Sequence, residues 1–152
     1  MPGARPQILV IEPNDVARRR LQLAVTALAD VELHRQFETA RARISFGTFE
    51  FIVTNIRLGA YNGLHLAYVA SLGPHAPRVI VYSDQRDSGL AREAQRAGAF
   101  YEVGECLPVT LAAYLKGTLP EQDRRNPDTA DRRSDVRGGR RCWDQHLMGR
   151  AG

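Results

Sequence analysis

Short apolar runs alternate with helix-periodic segments throughout residues 7–117. The apolar runs predict strands, and segments whose apolar residues recur every three to four positions predict helices. Five such pairs follow one another with short connections, which predicts a parallel sheet with helices on both faces. A half barrel is the alternative fold class, but five strand–helix units are too few to close a barrel.

The boundaries of the predicted elements follow from the same pattern. Strands are predicted at residues 7–12, 31–36, 49–55, 78–83 and 99–103. Helices are predicted at residues 14–30, 38–47, 62–73, 88–98 and 108–117. Asn14 is the predicted N-cap of the first helix, and Asp84 is expected to cap the loop before the fourth. Gly47 and Gly98 are predicted to end helices, and Pro108 to lie in a first turn.

The first helix is predicted to be amphipathic. Its apolar positions are Val16, Leu21, Leu23, Ala24 and Leu28. Arginines lie between them, at residues 18–20, and are expected to face solvent.

Composition changes near the end of the last predicted helix and divides the chain into a domain, residues 6–117, and a tail, residues 118–152. The tail is rich in Arg, Asp, Gly and Pro. It has too little apolar surface to offset the entropy of ordering, so we expect it to be disordered. One apolar island interrupts it, Cys142-Trp143 with Leu147-Met148, whose spacing suits one turn of a docking helix.

Charge and hydropathy limit the class of protein. The net charge is only +4, with 21 basic and 17 acidic side chains interspersed, so nucleic-acid binding is not favoured. The tail segment at residues 132–141, RRSDVRGGRR, keeps RNA binding open as an alternative. No apolar stretch approaches the ~20 residues of a membrane helix, and no secretory signal is recognisable at the N-terminus. With only two cysteines, the expected location is the cytoplasm.

Several polar residues stand at the predicted strand ends with characteristic spacing. Asn55 ends the third strand, Leu58 follows three positions on, Asn62-Gly63 opens the third helix, and Ser83 ends the fourth strand. With these spacings, residues 6–117 resemble the receiver domain of bacterial two-component response regulators. The resemblance implies a flavodoxin-like, five-stranded parallel sheet of order 2-1-3-4-5, with a site at the carboxyl ends of the strands.

The residues that would carry the family's chemistry depart from its pattern. The resemblance implies two acids after strand one, a phosphate-accepting Asp after strand three and a Lys after strand five, with Mg²⁺ held by the acids. Here Glu12-Pro13 keeps one carboxylate of the acidic pair and loses the other, and Asn55 and Glu105 replace the Asp and the Lys. Ser83 matches the family's Ser or Thr at the end of the fourth strand. An amide nitrogen has no available lone pair, so Asn55 cannot form an acyl phosphate. We therefore expect a degenerate phosphorylation pocket, no cofactor and no enzymatic activity.

The resemblance also locates a surface for a protein partner, such as a histidine kinase, another signalling protein or a second copy in a homodimer. That face is expected to include Leu90, Arg92, Arg96, Tyr101, Leu111 and Tyr114. The family's aromatic switch position falls on Glu102, which would place Tyr101 on the opposite face of the strand.

Two alternatives involve the strand ends themselves. A small molecule could bind in the crevice there, since this class of sheet binds ligands at that edge. A divalent cation could bind Glu12, Asp84 and Glu105, although solvent-facing acids are the more ordinary interpretation.

Overall fold

The computed structural model describes residues 3–117. The predictions for residues 118–152, namely their disorder, the apolar island and the RNA-binding stretch, lie outside the described residues. Among the described helices, none combines the length and apolar character needed to cross a bilayer.

Helices and strands alternate along the described chain. The strands are β1 (Gln7–Ile11), β2 (Asp30–His34), β3 (Phe51–Asn55), β4 (Arg57–Leu58), β5 (Tyr61–Asn62), β6 (Arg78–Ser83) and β7 (Phe100–Val103). The helices are α1 (Asp15–Val25), α2 (Phe37–Phe46), α3 (Leu64–Ser71), α4 (Ser88–Arg96) and α5 (Leu107–Lys116).

Five of the strands form one parallel sheet in the order β2-β1-β3-β6-β7. This confirms the predicted order 2-1-3-4-5, because β4 and β5 are not part of that sheet. They form a separate antiparallel hairpin directly after β3, with Leu58 opposite Tyr61. Two-residue strands carry no periodic signal, so this hairpin was not predicted.

The central strands are buried on both faces, and alternate side chains enter two separate cores. Ile11, Ile52 and Val81 belong to the core beneath α2, α3 and α4. Val10 and Ile80 belong to the core beneath α1 and α5. Each fully buried aliphatic side chain stabilises the fold by about 1.5–3 kcal/mol relative to an exposed one. The resulting three-layer arrangement is the predicted one.

Helix α1 is shorter than predicted, and its apolar face is narrower. It ends at Val25, five residues early, because Asp30 already belongs to β2 and its amide bonds to Pro6 O at 3.0 Å. Leu21 and Val25 are buried as expected, but Val16 and Leu23 are 70% and 72% exposed. The expectation that all three arginines face solvent was wrong for Arg18, which is buried because it donates to Glu12 O at 2.8 Å.

The predicted helix boundaries are confirmed at several polar and special residues. Asn14 caps α1 by accepting from Ala17 N at 2.9 Å. Gly98 follows α4 with φ of 76°, a backbone region that favours glycine. Pro108 lies in the first turn of α5. Asp84 does not cap α4, however, because Asp87 does so through Gly89 N and Leu90 N.

Candidate functional site

Glu12, Asn55 and Tyr82 meet at the carboxyl edge of the sheet. Glu12 directly follows β1, Asn55 ends β3, and Tyr82 is the penultimate residue of β6. Since these strands are neighbours in the sheet, their carboxyl ends place the three side chains side by side. Glu12 is only 2% exposed, so its carboxylate must find donors within the protein.

Both carboxylate oxygens of Glu12 have such donors. Oε1 accepts from the backbone N of Asn14 at 2.8 Å. Oε2 accepts from Asn55 Nδ2 at 2.8 Å and from the hydroxyl of Tyr82. Hydrogen bonds to a charged acceptor are the stronger kind, and three of them offset much of the penalty of burying this carboxylate.

Both the nitrogen and the oxygen of the Asn55 side-chain amide form hydrogen bonds. Nδ2 donates to Glu12, while Oδ1 accepts from the backbone N of Arg57 at 2.9 Å. These bonds fix the orientation of the amide, because a carboxylate only accepts and a backbone N–H only donates. An aspartate at position 55 would keep the second bond and replace the first by a contact between two carboxylates.

Tyr82 is a member of this cluster that the sequence did not reveal. Burial, followed by the nearby negative charge of Glu12, raises the pKa of Tyr82, so the hydroxyl stays protonated and remains a donor. The apolar run at residues 78–83 predicted only a core strand. The available signal was chemical, since a buried tyrosine hydroxyl needs a hydrogen-bond partner.

A second polar cluster joins the ends of β6 and β7. The hydroxyls of Ser83 and Tyr101 are hydrogen-bonded to each other. Tyr101 also accepts from Asp87 N at 3.0 Å and donates to Gln85 O at 3.2 Å. It therefore fixes the loop that leads into α4.

Neighbouring side chains on β7 bond to different partners. Tyr101 and Glu102 face opposite sides, as strand geometry requires, but Tyr101 reaches Ser83. Glu102 instead accepts from the hydroxyl of Tyr114 on α5. Tyr101 pairs with Val81 of β6, and both side chains contribute to the same core.

The β4–β5 hairpin holds the loop that follows Asn55. The ring of Tyr61 stacks on that of Phe37, with centroids 4.4 Å apart. Asn62 Oδ1 accepts from Leu64 N at 2.9 Å at the start of α3. A Cβ on Gly63 would lie 2.2 Å from Asn55 O, so only glycine fits there.

The three acids proposed for a cation line one cavity of about 220 Å³, together with Arg20 and Tyr82. The oxygens of Glu12 are engaged by the protein groups described above, whereas Asp84 and Glu105 are exposed. Within residues 3–117, no three His, Cys, Asp or Glu side chains are placed to hold a metal ion. The cavity is also smaller than the ~300–1,000 Å³ of typical small-molecule sites.

The expected partner face is only partly a surface. Arg92 and Arg96 are exposed on α4, and Leu90 is half-buried. Leu111 and Tyr114 are 0% and 7% exposed and belong to the core. Their assignment to the surface was wrong, because α5 turns them towards the sheet and Tyr114 packs edge-to-face on Phe100, with ring centroids 5.5 Å apart.

The remaining residues of the expected pocket differ in exposure at the same edge. Pro13 is exposed beside the buried Glu12, and Glu105 is exposed at the turn before α5. The structure thus brings Glu12 and Asn55 into direct contact. Ser83 joins the separate cluster around Tyr101.

Comparison with solved structures identifies the fold. A LuxR-family two-component response regulator from an Aurantimonas species superposes with a TM-score of 0.71 at 17% identity, covering 88% of this chain and 100% of that chain. The chain has the receiver fold. The chemotaxis protein CheY4 of Vibrio cholerae agrees, with a TM-score of 0.68 at 18% identity over 76% of this chain and 100% of that chain.

A longer receiver protein gives the same result over part of its length. The Thermotoga maritima response regulator DrrB, an OmpR/PhoB homologue, matches with a TM-score of 0.65 at 18% identity and covers 74% of this chain. The present chain spans about half of DrrB, 51% of that chain. No protein-family model and no curated protein matches the sequence. In this receiver fold, Asn55 ends the third strand along the chain, as expected.

Proposed function

We propose that this chain is a receiver-like signalling module that binds a protein partner and accepts no phosphoryl group at position 55. The observation that carries the proposal is the double engagement of the Asn55 amide by Glu12 and by Arg57 N. The receiver fold supports a signalling role, and this bonding supports a scaffold that works without phosphotransfer.

Two physical arguments favour this function. The lone pair of an amide nitrogen is delocalised into the carbonyl, so Asn55 is not a nucleophile for phosphorus. The nearest carboxylate, Glu12, is already bonded to three donors. A Mg²⁺ ion would have to displace those hydrogen bonds and would find only one buried acid, whereas hard cations prefer several oxygen ligands.

The partner is proposed to be a histidine kinase or another signalling protein, and a homodimer is compatible with the same face. We place the contact on α4, where Arg92 and Arg96 are exposed beside the half-buried Leu90. The two guanidinium groups favour an acidic surface on the partner.

Phosphotransfer is tested by incubating the purified full chain with acetyl phosphate and Mg²⁺ and measuring its intact mass. We expect no added phosphoryl group, while a competent receiver domain treated in parallel gains one. A phosphorylated species that hydroxylamine removes, as it removes acyl phosphates, would contradict the proposal.

Partner binding is tested by charge reversal on α4. The variant Arg92→Glu/Arg96→Glu should lose capture of the partner that the parent chain retains. The matched variant Arg19→Glu/Arg20→Glu, with two exposed arginines on α1, should keep it. Equal capture by both variants would exclude the α4 face as the binding surface.

A further inference from the structure

An apolar groove lies at the edge of the sheet opposite Asn55. It is enclosed by the carboxyl ends of α2 and α3 and by the segments that lead into β3 and β6. Its volume is about 470 Å³. We call it the Phe46–Leu72 groove, after the last residue of α2 and the residue that follows α3.

Two large apolar side chains on this groove are almost fully exposed. Phe46 is 89% exposed and Leu72 is 86% exposed. Covering either one would remove apolar surface from water, which stabilises the covered state. Single exposed apolar residues are ordinary, but a pair lining one cavity is typical of an interaction site.

The lining of the groove defines the chemistry of its occupant. It contains no Asp, Glu, Lys or Arg. The side chains are aliphatic or aromatic apart from Ser45, Thr48 and His75. A charged segment would lose hydration there without gaining an ion pair, so the occupant must present apolar side chains.

We propose that the occupant is the segment Cys142–Met148 of the same chain. It holds Trp143, the only tryptophan, with Leu147 and Met148 four and five positions later. In a helix, the four-residue spacing would place Trp143 and Leu147 on one face. The groove requires apolar side chains without charge pairing, and Trp143 and Leu147 would supply them.

The chain leaves the described domain at the edge where the groove lies. Helix α5 follows β7 after a short turn and runs back antiparallel to the strands, so Lys116 lies near the amino-terminal edge of the sheet. The groove is at the same edge, beneath α2 and α3 on the other face. Since a helix is about 10–12 Å across, the path between the two faces is roughly 20–25 Å.

The connecting segment can cover that distance. As a flexible coil, the roughly 25 residues between Gly117 and Trp143 would span about 25–30 Å. A tether of this length presents its end at an effective concentration on the order of millimolar. A second copy of the chain reaches that concentration only in very concentrated solution, which favours the intramolecular occupant. This inference concerns a different edge of the sheet and does not depend on the proposed function.

The fluorescence of Trp143 tests the proposal in the full chain. We expect a short-wavelength emission maximum and low acrylamide quenching. Leu72→Asp and, separately, Phe46→Asp should shift the emission to longer wavelength and raise quenching. The matched control Leu23→Asp, at an equally exposed position on α1, should leave the spectrum unchanged. Because all three residues are at the surface, circular dichroism should show the same folded signal.

Three results would overturn the proposal. Emission typical of a water-exposed tryptophan in the parent chain would show that the segment is undocked. Equal shifts in Leu72→Asp and Leu23→Asp would show that the groove is not the site. Emission that shifts to longer wavelength on dilution, with a dimer in sedimentation that dissociates in parallel, would identify a second copy as the occupant.

Discussion

The two edges of the sheet differ in how well their side chains are satisfied by the rest of the protein. At the carboxyl edge, Glu12 and Asn55 are polar, and the protein supplies partners for both Glu12 oxygens and for both ends of the Asn55 amide. At the amino edge, Phe46 and Leu72 are apolar and almost fully exposed. In sheets of this class, ligands ordinarily bind at the carboxyl edge.

The two edges therefore differ in the free energy that a ligand could gain by binding. A ligand at the carboxyl edge must first break hydrogen bonds that already satisfy buried groups, which costs about 1–3 kcal/mol for each group left unpaired. A ligand at the amino edge only removes apolar surface from water. We therefore expect the cluster around Glu12 and Asn55 to act as a fixed structural element. The Phe46–Leu72 groove is the surface that can bind a ligand without first breaking hydrogen bonds.

The largest effect should come from Glu12→Ala. This change leaves Asn55 Nδ2, the Tyr82 hydroxyl and Asn14 N without their acceptor in a buried place. We expect the free energy of unfolding to fall by about 3 kcal/mol, measured by urea denaturation. Asp84→Ala, an exposed acid on the same cavity, should change it by less than about 0.5 kcal/mol. Similar losses in both variants would mean that the carboxyl edge is not held by Glu12.

Asn55→Asp should have the next largest effect, a loss of about 2 kcal/mol at neutral pH, because two carboxylates would then meet across the former 2.8 Å bond. Their repulsion raises the pKa of the pair in the folded state above its unfolded value. Stability is therefore recovered at acidic pH and lost as the pH rises through the raised folded pKa. Urea midpoints at pH 7 and pH 5 measure this difference.

Asn62→Asp is the matched control for that substitution. It makes the same chemical change in the same loop, but the oxygen of Asn62 only accepts from Leu64 N. An aspartate can accept the same bond, so its stability should be nearly independent of pH over this range. A pH dependence equal to that of Asn55→Asp would show that contact with Glu12 is not the cause.

Tyr101→Phe should cost about 1 kcal/mol, since it removes one hydroxyl shared by Ser83, Gln85 O and Asp87 N. The loss should be concentrated in the loop before α4, where hydrogen exchange at the Asp87 amide should accelerate. Tyr68→Phe, at a half-exposed tyrosine on α3, should leave that exchange rate unchanged. An unchanged exchange rate at the Asp87 amide in Tyr101→Phe would show that the second polar cluster does not order this loop.

The sequence predicted the framework well because the framework depends on local patterns. Alternation of strands and helices led to the five-stranded parallel sheet, and strand ends led to Glu12 and Asn55. Tyr82 was missed because it lies inside an apolar run, where its hydroxyl leaves no trace in the pattern. Strand periodicity of two correctly predicted that Tyr101 and Glu102 face opposite sides of β7.

The error at α5 has a different origin. Leu107, Leu111 and Tyr114 have helical spacing and are all buried, so periodicity alone would have placed them in the core. The family resemblance favoured a surface there instead. The exposure of Phe46 and Leu72 depends on which side chains the neighbouring helix ends leave uncovered. That is a tertiary property, and no local pattern in the sequence reports it.

The smallest expected effect concerns an ion pair whose cation also contacts the lining of the groove. Arg43 bonds to Glu32 at 2.6 and 2.8 Å and lies over the ring of Phe49, 5.2 Å from its centroid. The hydrogen bond from Arg43 is the main cause that lowers the pKa of Glu32 from 4.5 to about 2. A lowered folded pKa stabilises the protein above the unfolded value, and this contribution is lost as the pH falls from about 4.5 towards 2.

Arg43→Met should therefore weaken the decrease in the free energy of unfolding as the pH falls from about 4.5 towards 2. The substitution keeps an unbranched side chain over Phe49. Exposed ion pairs are screened by solvent, so the change in urea midpoint at pH 7 should be small. The slope of the midpoint between pH 4.5 and 2 is the more sensitive measurement. Arg41→Met, at an exposed arginine of the same helix, should keep the parent slope.

If Trp143 emission also shifts in Arg43→Met but not in Arg41→Met, the packing of Phe49 contributes to docking in the Phe46–Leu72 groove. An unchanged emission would show that Arg43 stabilises only the contact between α2 and β2 and does not contribute to docking.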